Sequence, residues 1–108
     1  MRNIHIKFAP DVLKRVAILD ELDLPAINFI LHRYVSVPVT WAISDKFTGK
    51  YLAEELFDLT NNPARQVERE EKYGLGPSIS PGDIVEIDAI NYVCLSFGWA
   101  VLGDNNGN

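Results

Sequence analysis

Three carboxylates close in sequence, Asp83, Glu86 and Asp88, are the residues of this chain with the most scope for chemistry. On one strand Glu86 and Asp88 share a face, and two acids so placed can act as general acid and base or hold a hard cation through oxygen. Solvent-face charge that keeps a hairpin soluble explains all three equally well. The other reactive side chains offer less. Cys94 stands between Val93 and Leu95, which suits a packed thiol rather than a nucleophile. His5 and His32 have no acid or cysteine beside them in sequence and read as surface or packing residues. Gly74-Leu75-Gly76 opens no obvious helix and is a weak phosphate cradle. A nucleophile elbow, a Walker loop, a zincin helix and paired cysteines or histidines at metal spacing are all missing from the sequence. The expectation is a domain that is not an enzyme and needs neither metal nor cofactor.

Those residues must be positioned by short elements. The chain has 108 residues, 47% of them hydrophobic, enough for one domain with a real core. A single domain over residues 1–103 and a flexible Asn/Gly tail over 104–108 are expected. The lone cysteine forms no internal disulfide. No signal-like segment and no apolar run of membrane-spanning length occurs, so the expected setting is soluble and intracellular, without membrane contact. A net charge of −5 disfavours direct nucleic-acid binding, which needs clustered Lys and Arg, and permits docking on a basic surface.

Ser78 to Leu102 carries the strongest pattern, two strands joined by a short turn. Val93, Leu95, Phe97, Trp99 and Val101 alternate with Tyr92, Cys94, Ser96, Gly98 and Ala100, which predicts one strand with a heavy core face and, at Gly98, either a bulge or the close approach of another backbone. Phe97 and Trp99 therefore belong to the expected core. Asp83 to Asp88 forms the preceding strand, with a polar connection over Asp88 to Asn91. Ser80-Pro81-Gly82-Asp83 has the chemistry of a type II turn.

Asn3 to Phe8 alternates as a short strand, and a helix starts near Pro10, with Val12, Leu13, Val16, Ala17 and Leu19 on one stripe. Leu24 to Tyr34, behind Asp23, aligns Leu24, Ile27, Leu31 and Tyr34 as a helix would. The alternation of Ile27, Phe29 and Leu31 keeps a strand in competition. Val35 to Ile43 alternates again, and Pro38 directs it to a sheet edge or a bulge. Lys46 to Lys50 is a loop, followed by a helix carrying Leu52, Ala53, Leu56 and Phe57 that ends at Asn61-Asn62-Pro63. Ala64 to Pro77 is a charged connector in which Arg65, Glu68 and Lys72 can pair along a short helix. The whole is an α+β fold, short helices packed on a small, mostly antiparallel sheet ending in a C-terminal β-hairpin.

Ser78 to Glu86, followed by Tyr92 and Ser96-Phe97-Gly98-Trp99, resembles the signature of the YodL-like domain family, S-L-S-V-G-D-V-[IV] and then Y-Y-V-D-S-F-G-F. Leu52 to Ala64 is similar to that family's E-x-I-F-x-x-x-N-x-x-x-P helix end. The resemblance spans residues 51–102, and Leu95 replaces the usual Asp before Ser-Phe-Gly. It implies that Ser80, Gly82, Asp83, Tyr92, Ser96, Phe97, Gly98 and Trp99 are mainly structural. It also implies an accessory protein of a phage or mobile element that binds and modulates a host protein or protein complex. A second reading is an acidic anti-defence protein that mimics nucleic acid. In either case the expected contact surface is acidic, drawn from Glu68, Glu70, Glu71 and Tyr73 together with Glu86 and Asp88.

Overall fold

Ile4, Ile6 and Phe8 are buried while His5 and Lys7 between them are half-buried, so β1 (Ile4–Phe8) shows the period-two pattern expected of it. The computed structural model describes residues 4–11, 13, 23–39, 49–74 and 76–102. In it β1 lies inside a five-stranded antiparallel sheet with β2 (Val35–Pro38), β3 (Ile84–Ile87), β4 (Ile90–Cys94) and β5 (Trp99–Leu102). The order is β2-β1-β3-β4-β5. Pro38 thus sits on an edge strand, where its missing N–H leaves no inner ladder unpaired.

The register decides the two faces. Ile6 lies opposite Val85, Val85 opposite Tyr92 and Tyr92 opposite Val101. This face is covered by α2 (Gly49–Asn61), whose Leu52, Ala53, Leu56 and Leu59 are fully buried at helical spacing. Each such leucine contributes about 1.5–3 kcal/mol over an exposed one. On the other face Ile84 opposes Val93, and both pack with Ala9, Leu13, Leu102 and with Ile27 and Tyr34. Ile27 belongs to α1 (Leu24–Phe29), which a 3-10 turn over Leu31–Arg33 continues toward Tyr34. The helical reading of that stretch holds for α1, although Asp23 makes no side-chain cap bond.

Several expectations are corrected or moved. The run from Tyr92 to Val101 is two strands, because the chain reverses over Leu95–Gly98, where the Leu95 N–H donates to the Gly98 carbonyl at 3.0 Å. Gly98, at φ +78, is part of the turn rather than a bulge. Phe97 leaves the core entirely and is 90% exposed, whereas Trp99 is 7% exposed. Gly49 and Lys50 are the first turn of α2, not a loop. The β3–β4 connection is only Asp88-Ala89, both at positive φ (51 and 71), the geometry of a type I′ hairpin turn. The helix expected from Pro10 is seen at its start, where the Leu13 N–H bonds the Pro10 carbonyl at 3.0 Å. Val12, Val16, Ala17, Leu19, Trp41, Ile43 and the 104–108 tail lie outside the described residues.

The Ser80–Asp83 turn is as expected: the Asp83 N–H donates to the Ser80 carbonyl at 3.0 Å and Gly82 has φ +97. Gly82→Ala is expected to destabilise by more than about 1 kcal/mol, since alanine is strained at that φ. A denaturation curve showing equal or greater stability for the variant would mean that the turn relaxes freely.

Candidate functional site

Three places gather polar groups and one gathers exposed aromatic surface. The first polar group is built around Asp83, a fully buried carboxylate. Its Oδ1 accepts from the Ala9 N–H at 2.8 Å, and its Oδ2 from the Ser80 N–H at 2.9 Å and the Ser80 hydroxyl at 3.1 Å. Its own carbonyl accepts from the Cys94 N–H at 2.9 Å. Beside it the Tyr34 hydroxyl donates to the Gly82 carbonyl at 2.8 Å, and burial with the nearby Asp83 charge raises that phenol above its ordinary range. These donors to Asp83 close a turn and tie down the chain at the end of β1. Asp83 is therefore a structural tie among the strands, not a solvent-face acid.

Glu86 points to the sheet face away from α2, where its Oε1 lies 3.5 Å from Lys7 Nζ and 3.8 Å from His5 Nδ1. Lys7 also donates to Asn91 Oδ1 at 3.1 Å. Asp88 is in the exposed type I′ turn, so strand alternation no longer places it beside Glu86. The three carboxylates do not converge. Among the described residues no group of three or more His, Cys, Asp or Glu side chains could hold a metal ion.

The charged connector folds as α3 (Gln66–Lys72) and is tied down at both ends. Arg65 bridges it to α2, at 2.9 Å from Asp58 and, with two nitrogens, at 2.8 and 2.9 Å from Glu68. Its guanidinium holds the Glu68 carboxyl below the ordinary range. Arg69 donates to the carbonyls of Thr60, at 2.8 Å, and of Gly76, and lies over the Tyr73 ring. Tyr73 packs its ring against Phe8 and donates its hydroxyl to the Pro77 carbonyl at 2.9 Å. Burial pushes that phenol up to about 12. Glu70 takes a 2.8 Å bond from Gln66, and Glu71 is exposed. So Glu68, Glu70, Glu71 and Tyr73 sit on the α2 side of the sheet and Glu86 on the opposite side. The single acidic surface expected across both sets is not assembled.

No family model, curated protein or solved structure matches this chain. The fold shows what the residues of the expected motif do here. Ser80, Gly82 and Asp83 build the buried turn, Tyr92 and Trp99 enter the core under α2, and Ser96, Phe97 and Gly98 make the exposed reversal.

That reversal is the aromatic site. Phe97 stands at its tip, and on either side the surface is concave. A cavity of about 530 Å³ runs between it and the first turns of α2, lined by Lys50, Tyr51, Glu54 and Trp99. A tighter one of about 250 Å³ is lined by Glu54, Phe57, Leu95, Ser96, Phe97 and Trp99. Glu54 borders both, and among the described residues neither it nor Lys50 forms an ion pair. Cys94 lines the tighter cavity from below with its residue 3% exposed. Burial first, then the charges of Asp83 and Glu54, push its thiol up to about 12, so it stays protonated and unreactive near neutrality. Sequence reasoning placed Phe97 in the core. The signal against that was Ser96 and Gly98 on either side of it, both turn formers.

Proposed function

We propose that this chain is a recognition module that binds a protein partner through the Phe97 turn and the adjoining flank of α2. One observation carries the reading: a large aromatic side chain is 90% exposed on a tight, hydrogen-bonded reversal. Exposing a phenylalanine to water is unfavourable, and burying it against a partner recovers about 1.5–3 kcal/mol. A short closed turn has little entropy left to lose on binding, which favours it as an anchor. Tyr51, 49% exposed on the neighbouring turn of α2, extends the same apolar surface. Glu70 and Glu71 on α3 supply acid on that side of the sheet, suited to a basic rim on the partner. The motif resemblance supports an accessory, non-enzymatic role on a phage or mobile element, in which the partner is a host protein or complex.

The test places a photo-crosslinking amino acid at Ser96 of the full chain in bacterial cells. A discrete protein adduct is expected, lost in Phe97→Ala although that variant keeps its stability within about 0.5 kcal/mol, as an exposed substitution should. Crosslinks that persist unchanged in Phe97→Ala would exclude this turn as the contact.

A further inference from the structure

The tighter cavity beside Phe97 has one formal charge in its lining. Phe57, Leu95, Phe97 and Trp99 make its walls apolar, Ser96 adds a hydroxyl, and Glu54 is the charged residue. A carboxylate at the mouth of an aromatic cavity is a poor site for an apolar anchor, since docking one would strip water from an uncompensated charge. It is a good site for a cation, which gains from the ring faces and from the carboxylate together.

Resting on the binding role proposed for this turn, we infer that the cavity between the Phe97 turn and Glu54 receives an arginine side chain of the protein partner. The volume, about 250 Å³, accommodates one long side chain. The guanidinium is flat, stacks on aromatic faces and offers a fork of N–H donors that matches a carboxylate. Its weak hydration lets it leave water more readily than an ammonium does. The aliphatic stem lies along Leu95 and Phe57 while the head meets Glu54 and the Phe97 ring.

Among the described residues, Lys50 is the group that could compete from within the chain, because it stands one turn before Glu54 on α2 and lines the wider cavity. It does not neutralise Glu54: a lysine four residues before a glutamate is the weaker orientation of such a pair, and no ion pair forms. Lys50 instead repels an incoming cation. Glu55, the neighbouring acid, is turned to Arg65 at 3.5 Å and is not available to the cavity.

The experiment titrates the full-length, 15N-labelled protein with the capped peptide Gly-Arg-Gly and with its citrulline and lysine counterparts, following backbone amide shifts. Citrulline keeps the shape of arginine without its charge. The arginine peptide is expected to shift Phe97, Gly98 and Glu54 amides at millimolar concentration, the lysine peptide to bind more weakly and the citrulline peptide not to bind. Glu54→Gln should weaken arginine binding by roughly tenfold, the factor one charge-assisted hydrogen bond controls. Phe97→Leu, which keeps the apolar bulk and removes the ring, should weaken it as well, and Lys50→Ala should strengthen it. Equal binding of the citrulline or lysine peptide, binding unchanged in Glu54→Gln, or shifts by no peptide each overturn the inference. None of those outcomes touches the Ser96 crosslinking result, which tests the docking role by itself.

Discussion

Asp83→Ala is expected to lower the free energy of unfolding by about 3–5 kcal/mol, a large share of what a domain of this size possesses. The carboxylate is fully buried and accepts from Ala9, from the Ser80 amide and from the Ser80 hydroxyl. Alanine leaves those donors facing a cavity, and each buried donor without an acceptor is unfavourable by about 1–3 kcal/mol unless water reaches it. Asp83→Asn should fall between. It keeps an oxygen for the Ala9 N–H but turns an amide NH2 toward the Ser80 donors, so a loss of about 1–3 kcal/mol is expected. Urea denaturation of the three proteins decides the matter. If Asp83→Ala unfolds at the wild-type midpoint, the buried tie contributes nothing and the turn is held by its backbone bonds alone.

The second large effect is expected at Trp99. The residue is 7% exposed within the cluster that α2 covers, alongside Cys94, Tyr92 and Leu56. Removing it should destabilise by about 3–5 kcal/mol through lost burial and the cavity left behind. Phe97, two residues earlier, should be neutral to stability within about 0.5 kcal/mol on the same change to alanine. The contrast matters more than either number, because a continuous strand would place both rings in the core. A comparable loss from Phe97→Ala would restore that continuous strand and remove the proposed contact site.

Some of this molecule was legible from residue order. The α+β class, β1, the edge position of Pro38, the end of α2 at Asn61-Asn62-Pro63 and the Ser80–Asp83 turn all follow from local rules. Periodicity, proline's missing N–H and glycine's tolerance of positive φ act over a few residues, so a single sequence displays them. The ion pairs of Glu68 with Arg65 and Lys72 are of the same kind, three and four residues apart along α3 and the residue that precedes it.

What tertiary structure alone decided is which side of the sheet each residue faces after the chain reverses. Alternation counts odd and even positions, and it keeps counting across a turn as though the strand continued. Across the Leu95–Gly98 reversal Cys94 pairs with Trp99, so an even position meets an odd one on the same face. Val93 and Trp99, which share a parity, therefore end in opposite cores, and Phe97 between them ends in water. Asp83 shows the other limit. Its place in a run of acids suggests solvent, but its Oδ1 is satisfied by the amide of Ala9, 74 residues away in the chain. The division of Glu86 from the acids of α3 has the same origin, since β3 aims it at Lys7 on the face away from α2. Short-range chemistry selected the elements; pairing between distant strands determined which residues became core, tie or exposed contact.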